Sequence, residues 1–110
     1  MSWRIIFAES ARRDLRKIRD YISNVLVEPE IARKQIVRIV NAISSLDHMP
    51  ERHRLYDHEP WRSKGLRTLP VDNYLVFYVP DETRTIVEII HIIYGGRDIE
   101  AQLNQTEQPE

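Results

Sequence analysis

Cysteine is absent from the 110-residue chain. That excludes a disulfide framework, a thiolate metal site and a thiol nucleophile. It suits a reducing compartment, so a cytoplasmic protein is expected. No apolar run approaches the roughly 18 residues that a membrane span requires, and residues 1–7 show no signal-peptide pattern. Neither G-x-x-x-x-G-K nor G-x-S-x-G occurs, and there is no paired-carboxylate signature. Glycine is scarce, at three residues. The adjacent pair Gly95-Gly96 reads as a turn, not as a phosphate cradle. Net charge is also small, with 16 Lys/Arg against 17 Asp/Glu. That near-balance hides a split. Residues 1–80 carry 14 basic and 10 acidic side chains, whereas residues 81–110 carry 2 and 7. A mildly basic body with an acidic end suits an acidic partner, a nucleic acid, or an ordinary mixed surface.

What is present is ordinary for a globular domain: 42% hydrophobic and 30% charged residues. The length gives one domain, expected over residues 1–103, with residues 104–110 as a polar tail. The chain is organised around residues 72–98. Two runs rich in β-branched and aromatic residues, 74–79 and 86–94, flank a polar stretch at 80–84. They predict an antiparallel hairpin. Strict alternation puts Ile86, Ile90, Ile92 and Tyr94 on one face, with Glu88 the exception, and Val87, Ile89, His91 and Ile93 on the other. A strand apolar on both sides needs cover on both sides.

Upstream, residues 3–7 read as a first strand, and Ser10 reads as an N-cap. Ala11, Leu15, Ile18, Ile22 and Val25 then recur at helical spacing. Pro29 suits the first turn of a second helix, whose apolar stripe is Ala32, Ile36, Ile39, Ile43 and Leu46. The short connection predicts an αα-hairpin, able to cover one face of the sheet. Residues 66–71 form a further candidate strand, with Pro70 on an edge or at a bulge. A helical turn is expected between residues 97 and 103. The expected fold is therefore α+β. Its order is β-α-α-β-β-β, with an antiparallel-rich small sheet, an αα-hairpin on one face and a short C-terminal helical tail. The far face is expected to be left for another molecule.

Residues 48–61, HMPERHRLYDHEPW, have no period and read as a long surface loop. His48, His53 and His58 stand five apart, a spacing that suits neither helical nor Cys-assisted zinc sites, so no metal or other cofactor is expected. Arg52, Arg54, Arg62, Lys64 and Arg67 lie near Tyr56 and Trp61. Arg97 and Tyr94 would approach if the last strand sits mid-sheet. Such cations position phosphates and such rings stack on bases. The alternative is a charged loop around a docked Trp. His91, among isoleucines, is either a hydrogen-bonded core histidine or a general acid–base.

Several stretches resemble the RelE/ParE superfamily of bacterial type II toxin–antitoxin toxins. They are Ala11…Asp14-Leu15…Ile18…Tyr21-Ile22, Leu46…Pro50, Gly65-Leu66-Arg67, Asn73-Tyr74-Leu75-Val76-Phe77-Tyr78-Val79 and Ile89…Tyr94-Gly95-Gly96-Arg97-Asp98. Their order spans residues 2–103. The resemblance implies a growth-inhibiting toxin, of the kind tied to plasmid stabilization, silenced by a cognate antitoxin. Two mechanisms divide the superfamily. RelE-like members cleave mRNA on the ribosome, which here would use Arg67, His91, Tyr94 and Arg97 as catalytic groups. ParE-like members poison DNA gyrase. Target or nucleic-acid contacts would fall to Arg62, Lys64, Arg67 and Arg97. Leu75 stands where the nuclease pattern has an Arg, and fixed cations are what stabilise a transferring phosphoryl group. The Tyr-Gly-Gly-Arg-Asp ending is similar to the His-x-x-Arg-Asp of ParE-like members, with Tyr94 in the His position. The reading is thus nearer ParE. A degenerate toxin serving only as an antitoxin-binding co-repressor is the third alternative.

Overall fold

The computed structural model describes residues 2–96 and 98–104. Strand β1 (Arg4–Phe7) leads to helix α1 (Glu9–Asp20), which runs into a π-helical turn at Tyr21–Val25. Helix α2 (Pro29–Ser44) follows, then 3-10 turns at Ser45–Asp47 and Pro50–Arg52. Strands β2 (Arg67–Val71), β3 (Tyr74–Asp81) and β4 (Ile86–Tyr94) come next, and helix α3 (Ile99–Asn104) closes the described chain. The sheet order is β1-β4-β3-β2. β1 runs parallel to β4, and the other pairs are antiparallel. The α+β class, the αα-hairpin and the central hairpin all follow the sequence pattern.

Local chemistry explains several boundaries. α2 starts at Pro29, whose missing N–H falls where a helix has no partner for it. α1 starts two residues earlier than Ser10 suggests. Its N-cap is Ala8, and Ser10 lies inside the first turn, where its hydroxyl donates to the Ile90 carbonyl at 2.5 Å. The expected N-cap thus serves a tertiary contact. β3 continues through Pro80 to Asp81, so the hairpin turn narrows to residues 82–85. Asp81 stabilises that turn by accepting from the Arg84 backbone N–H at 3.2 Å.

Alternation in β4 breaks at one point. Phe77 pairs with His91, but Tyr78 pairs with Ile89, so Ile90 is an extra residue in the ladder. A bulge of this kind exchanges the two faces beyond it. Val87, Ile89 and Ile92 therefore pack together under the helices with Ala11, Ile39, Ile43 and Leu46. Ile90 and Ile93 pack on the opposite side. The strictly alternating faces expected from sequence are wrong for this reason.

The far face is not open. Trp61 and Leu66 from the long loop and Leu103 from α3 are buried against Phe77, Ile90 and Ile93. The loop passes round the β2 edge, where Leu55 bridges to Arg67, and returns across the sheet with Trp61 at 1% exposure. The expectation of a sheet face reserved for a partner is overturned. The sheet has two apolar faces, and the chain supplies both covers.

Candidate functional site

β1 stops at Phe7, so the last part of β4 loses its parallel neighbour. α1 takes over that edge. Ala8 N–H donates to the Ile89 carbonyl at 2.9 Å, Ser10 Oγ to Ile90, and Asp14 accepts from the Ile92 N–H at 2.9 Å. Asp14 Oδ2 also sits 2.5 Å from His91 Nδ1. Both side chains are largely buried, His91 at 11% and Asp14 at 15% exposure. His91 is thus turned towards α1 and tied to a carboxylate. Backbone groups on a buried edge must be paired, and these polar side chains do it.

A second polar cluster fastens the long loop. Arg67 Nη1 donates to the carbonyls of Glu51 and His53 at 2.9 and 2.7 Å. Tyr78 Oη donates to the Pro50 carbonyl at 2.6 Å, and its ring meets His53 edge-on at 6.3 Å. Burial pushes the Tyr78 phenol up to about 12, against the opposing field of Arg67 and Arg52. Burial, and then the Arg52 charge, holds the His53 imidazole below its ordinary 6.5. His53 Nε2 and Arg67 Nε are buried without a hydrogen-bond partner among the described residues. Arg52 caps the two 3-10 turns, donating to the carbonyls of His48, Met49 and Ser45.

The remaining candidates lie apart. Arg62 is exposed, and Lys64 Nζ stands 5.7 Å from the Trp61 ring centroid, a cation–π distance. Tyr94 is 46% exposed and packs edge-on against Tyr74, with ring centroids 5.6 Å apart. Gly96 permits this, since a Cβ there would come within 2.9 Å of the Tyr94 ring. Arg97 lies outside the described residues. Arg67 is opposite Tyr78, and Tyr94 is opposite Tyr74, four residues away along β3. That is about 13 Å at the usual rise of a strand. His91 faces α1 at the other side of β4. Arg67, His91 and Tyr94 therefore do not converge on one reacting centre. A basic and aromatic lining is found elsewhere, in an open groove of about 450 Å³ at the β2 edge. Arg52, His53, Arg54, Tyr56, His58, Thr68, Pro70 and Leu75 border it.

Sequence reasoning missed Asp14 and Tyr78. Asp14 had a legible signal, since it lies three residues after Ala11 and four before Ile18, on the apolar stripe itself. Tyr78 had none, because its partner is 28 residues away.

Comparison with known proteins bears on the same chain. The sequence profile of the family described as "ParE toxin of type II toxin-antitoxin system, parDE" matches residues 5–99. No curated protein is similar enough to match. Among solved structures, a chain of the chromosomal ParDE system from P. aeruginosa superposes with a TM-score of 0.69 at 23% identity. That match covers 84% of this chain and 96% of the other. The RelBE2 toxin–antitoxin complex from Mycobacterium tuberculosis gives 0.63 at 23% identity, covering 86% and 99%. A free, doubly substituted E. coli RelE gives 0.56 at 14% identity, covering 96% and 93%. At these identities the superpositions establish a shared fold.

Proposed function

Because the chain belongs to the ParE toxin family of type II toxin–antitoxin systems, we propose that it arrests bacterial growth by binding DNA gyrase in the cytoplasm, without cleaving RNA. The toxin class follows from the family. The target is our reading. One observation carries it: Arg67 and His91, two of the four candidate groups of an RNA-cleaving site, are committed to structure. Arg67 is held by two loop carbonyls, His91 is held by Asp14, and Leu75 packs with the far-side core where a cation would be required. Phosphoryl transfer needs several fixed cations around one phosphate. Support for an antitoxin partner comes from the neighbours, since the M. tuberculosis relative is described as a toxin–antitoxin complex. A role in plasmid stabilization would follow if the gene pair lies on a plasmid.

The test compares two assays on the purified chain. The expected result is inhibited supercoiling by gyrase, with mRNA left intact on translating ribosomes. Ribosome-dependent cleavage abolished by Arg67→Ala or His91→Gln, in folded variants, would overturn the reading in favour of the endonuclease. Tight antitoxin and operator binding with neither activity would leave the co-repressor role instead.

A further inference from the structure

Among the described residues, much of this sheet's margin is covered, and the outer side of β1 is not. At the β2 edge, Tyr56 N–H donates to Leu66 and Thr68 N–H to Arg54, and Pro70, next along, has no N–H. On β4, α1 closes the part beyond Phe7, as described above. On β1, Trp3 N–H donates to the Asp47 carbonyl at 2.9 Å. Arg4 and Ala8 donate to Thr85 and Ile89, so the even-numbered residues face β4. Ile5 and Phe7 consequently point their N–H and C=O groups outward. Among the described residues, neither outward pair has a hydrogen-bond partner. The strand also lacks proline, lysine and bulges, the usual guards of an edge.

We propose that the outer edge of β1 is a self-association surface, on which a second copy of this chain pairs antiparallel across a two-fold axis. The register follows from which residues face outward. Setting Ile6 opposite Ile6 of the copy places Ile5 opposite Phe7, and Phe7 opposite Ile5. Each such pair exchanges two N–H···O bonds, so four form, all from groups without a partner among the described residues. Apolar side chains meet apolar side chains on both faces. Charge agrees as well. Arg4, exposed at the strand's start, comes opposite Ala8 and beside Glu9 of the copy, while Arg4 never meets Arg4. Glu9 is itself exposed and, among the described residues, has only a 3.4 Å contact to Arg16. A four-residue edge falls short of the roughly 1,200–2,000 Å² that stable complexes bury. The association is therefore weak and concentration-dependent.

Sedimentation of the full chain, without antitoxin, tests this by mass and independently of the cellular target. The mass should climb towards twice 13.1 kDa as concentration rises to about 1 mM. Arg4→Glu and Glu9→Arg should each weaken dimerisation about ten-fold, because each sets like charges together. The double variant should recover it. Neither site is buried, so folding is preserved. Hydrogen exchange at the Ile5 and Phe7 amides should slow as the dimer forms. A chain that stays monomeric, a dimer indifferent to both reversals, or an edge protected only when antitoxin is added would each overturn the proposal.

Discussion

Asp14 is the residue on which the helix layer and the sheet are joined. It satisfies a backbone N–H and an imidazole on β4 at once. Asp14→Ala removes the acceptor these two donors share, and equilibrium urea unfolding should register a loss of about 1–3 kcal/mol. Asp14→Asn keeps one acceptor and should lose less. His53 makes a different residue-scale prediction. Its folded pKa lies below the unfolded value of 6.5, so the unfolded chain takes up its proton first. The contribution of His53 is therefore present above pH 6.5 and declines as pH falls from there through the lower folded pKa. Unfolding midpoints across pH 5–8 should show this decline, and His53→Gln should flatten it. Tyr78 acts at the opposite end. Its folded phenol holds its proton to about 12, so stability should fall as pH rises from its ordinary 10 towards that value.

At the scale of elements, the far-side cover decides how the sheet is used. The long loop and α3 bring Trp61, Leu66 and Leu103 onto Phe77, Ile90 and Ile93, and none of these six exceeds 2% exposure. Trp61→Ala removes a filled ring volume and should cost about 3–5 kcal/mol, and Leu103→Ala about 2–5 kcal/mol. Both are measurable by urea denaturation. A loss under 1 kcal/mol in both would mean the loop and α3 are dispensable cover. The loop depends on its clamp, so Arg67→Met should loosen residues 50–56 first. Faster hydrogen exchange at Tyr56 and Thr68, whose amides bond across the β2 edge, is the expected sign.

For the molecule as a whole, two apolar layers share one sheet. β3 sends Val76 and Tyr78 into the helix-side layer and Leu75 and Phe77 into the other. Neither layer keeps its packing without the strands between them. One cooperative transition is expected, with Trp61 fluorescence, read in a Trp3→Phe background because the chain has two tryptophans, and helical circular dichroism sharing a midpoint. An early fluorescence transition would show that the far-side cover opens alone. The same architecture restricts how an antitoxin engages. With both sheet faces occupied by the chain itself, a partner must use edges, helix surfaces or loops. Exposed aliphatics are available at the helical tip, where Val25, Leu26 and Val27 are each more than half exposed.

The sequence by itself determined the elements. Apolar spacing of three and four wrote α1 and α2, β-branched runs wrote β3 and β4, and Pro29 and Pro70 marked a helix start and an edge strand. These signals are local, since each depends on residues within one or two turns of one another. The ordered motifs also carried the family. What only the tertiary structure decided was the fate of polar groups whose partners are distant in the chain. Arg67 was legible as a cation, but not as a clamp for carbonyls 14 and 16 residues away. His91 was legible as a histidine among isoleucines, but its Asp14 partner lies 77 residues earlier. The bulge at Ile90 left no mark in composition either. It arises from the pairing of β3 with β4, and it exchanges the faces that a single strand's alternation predicts.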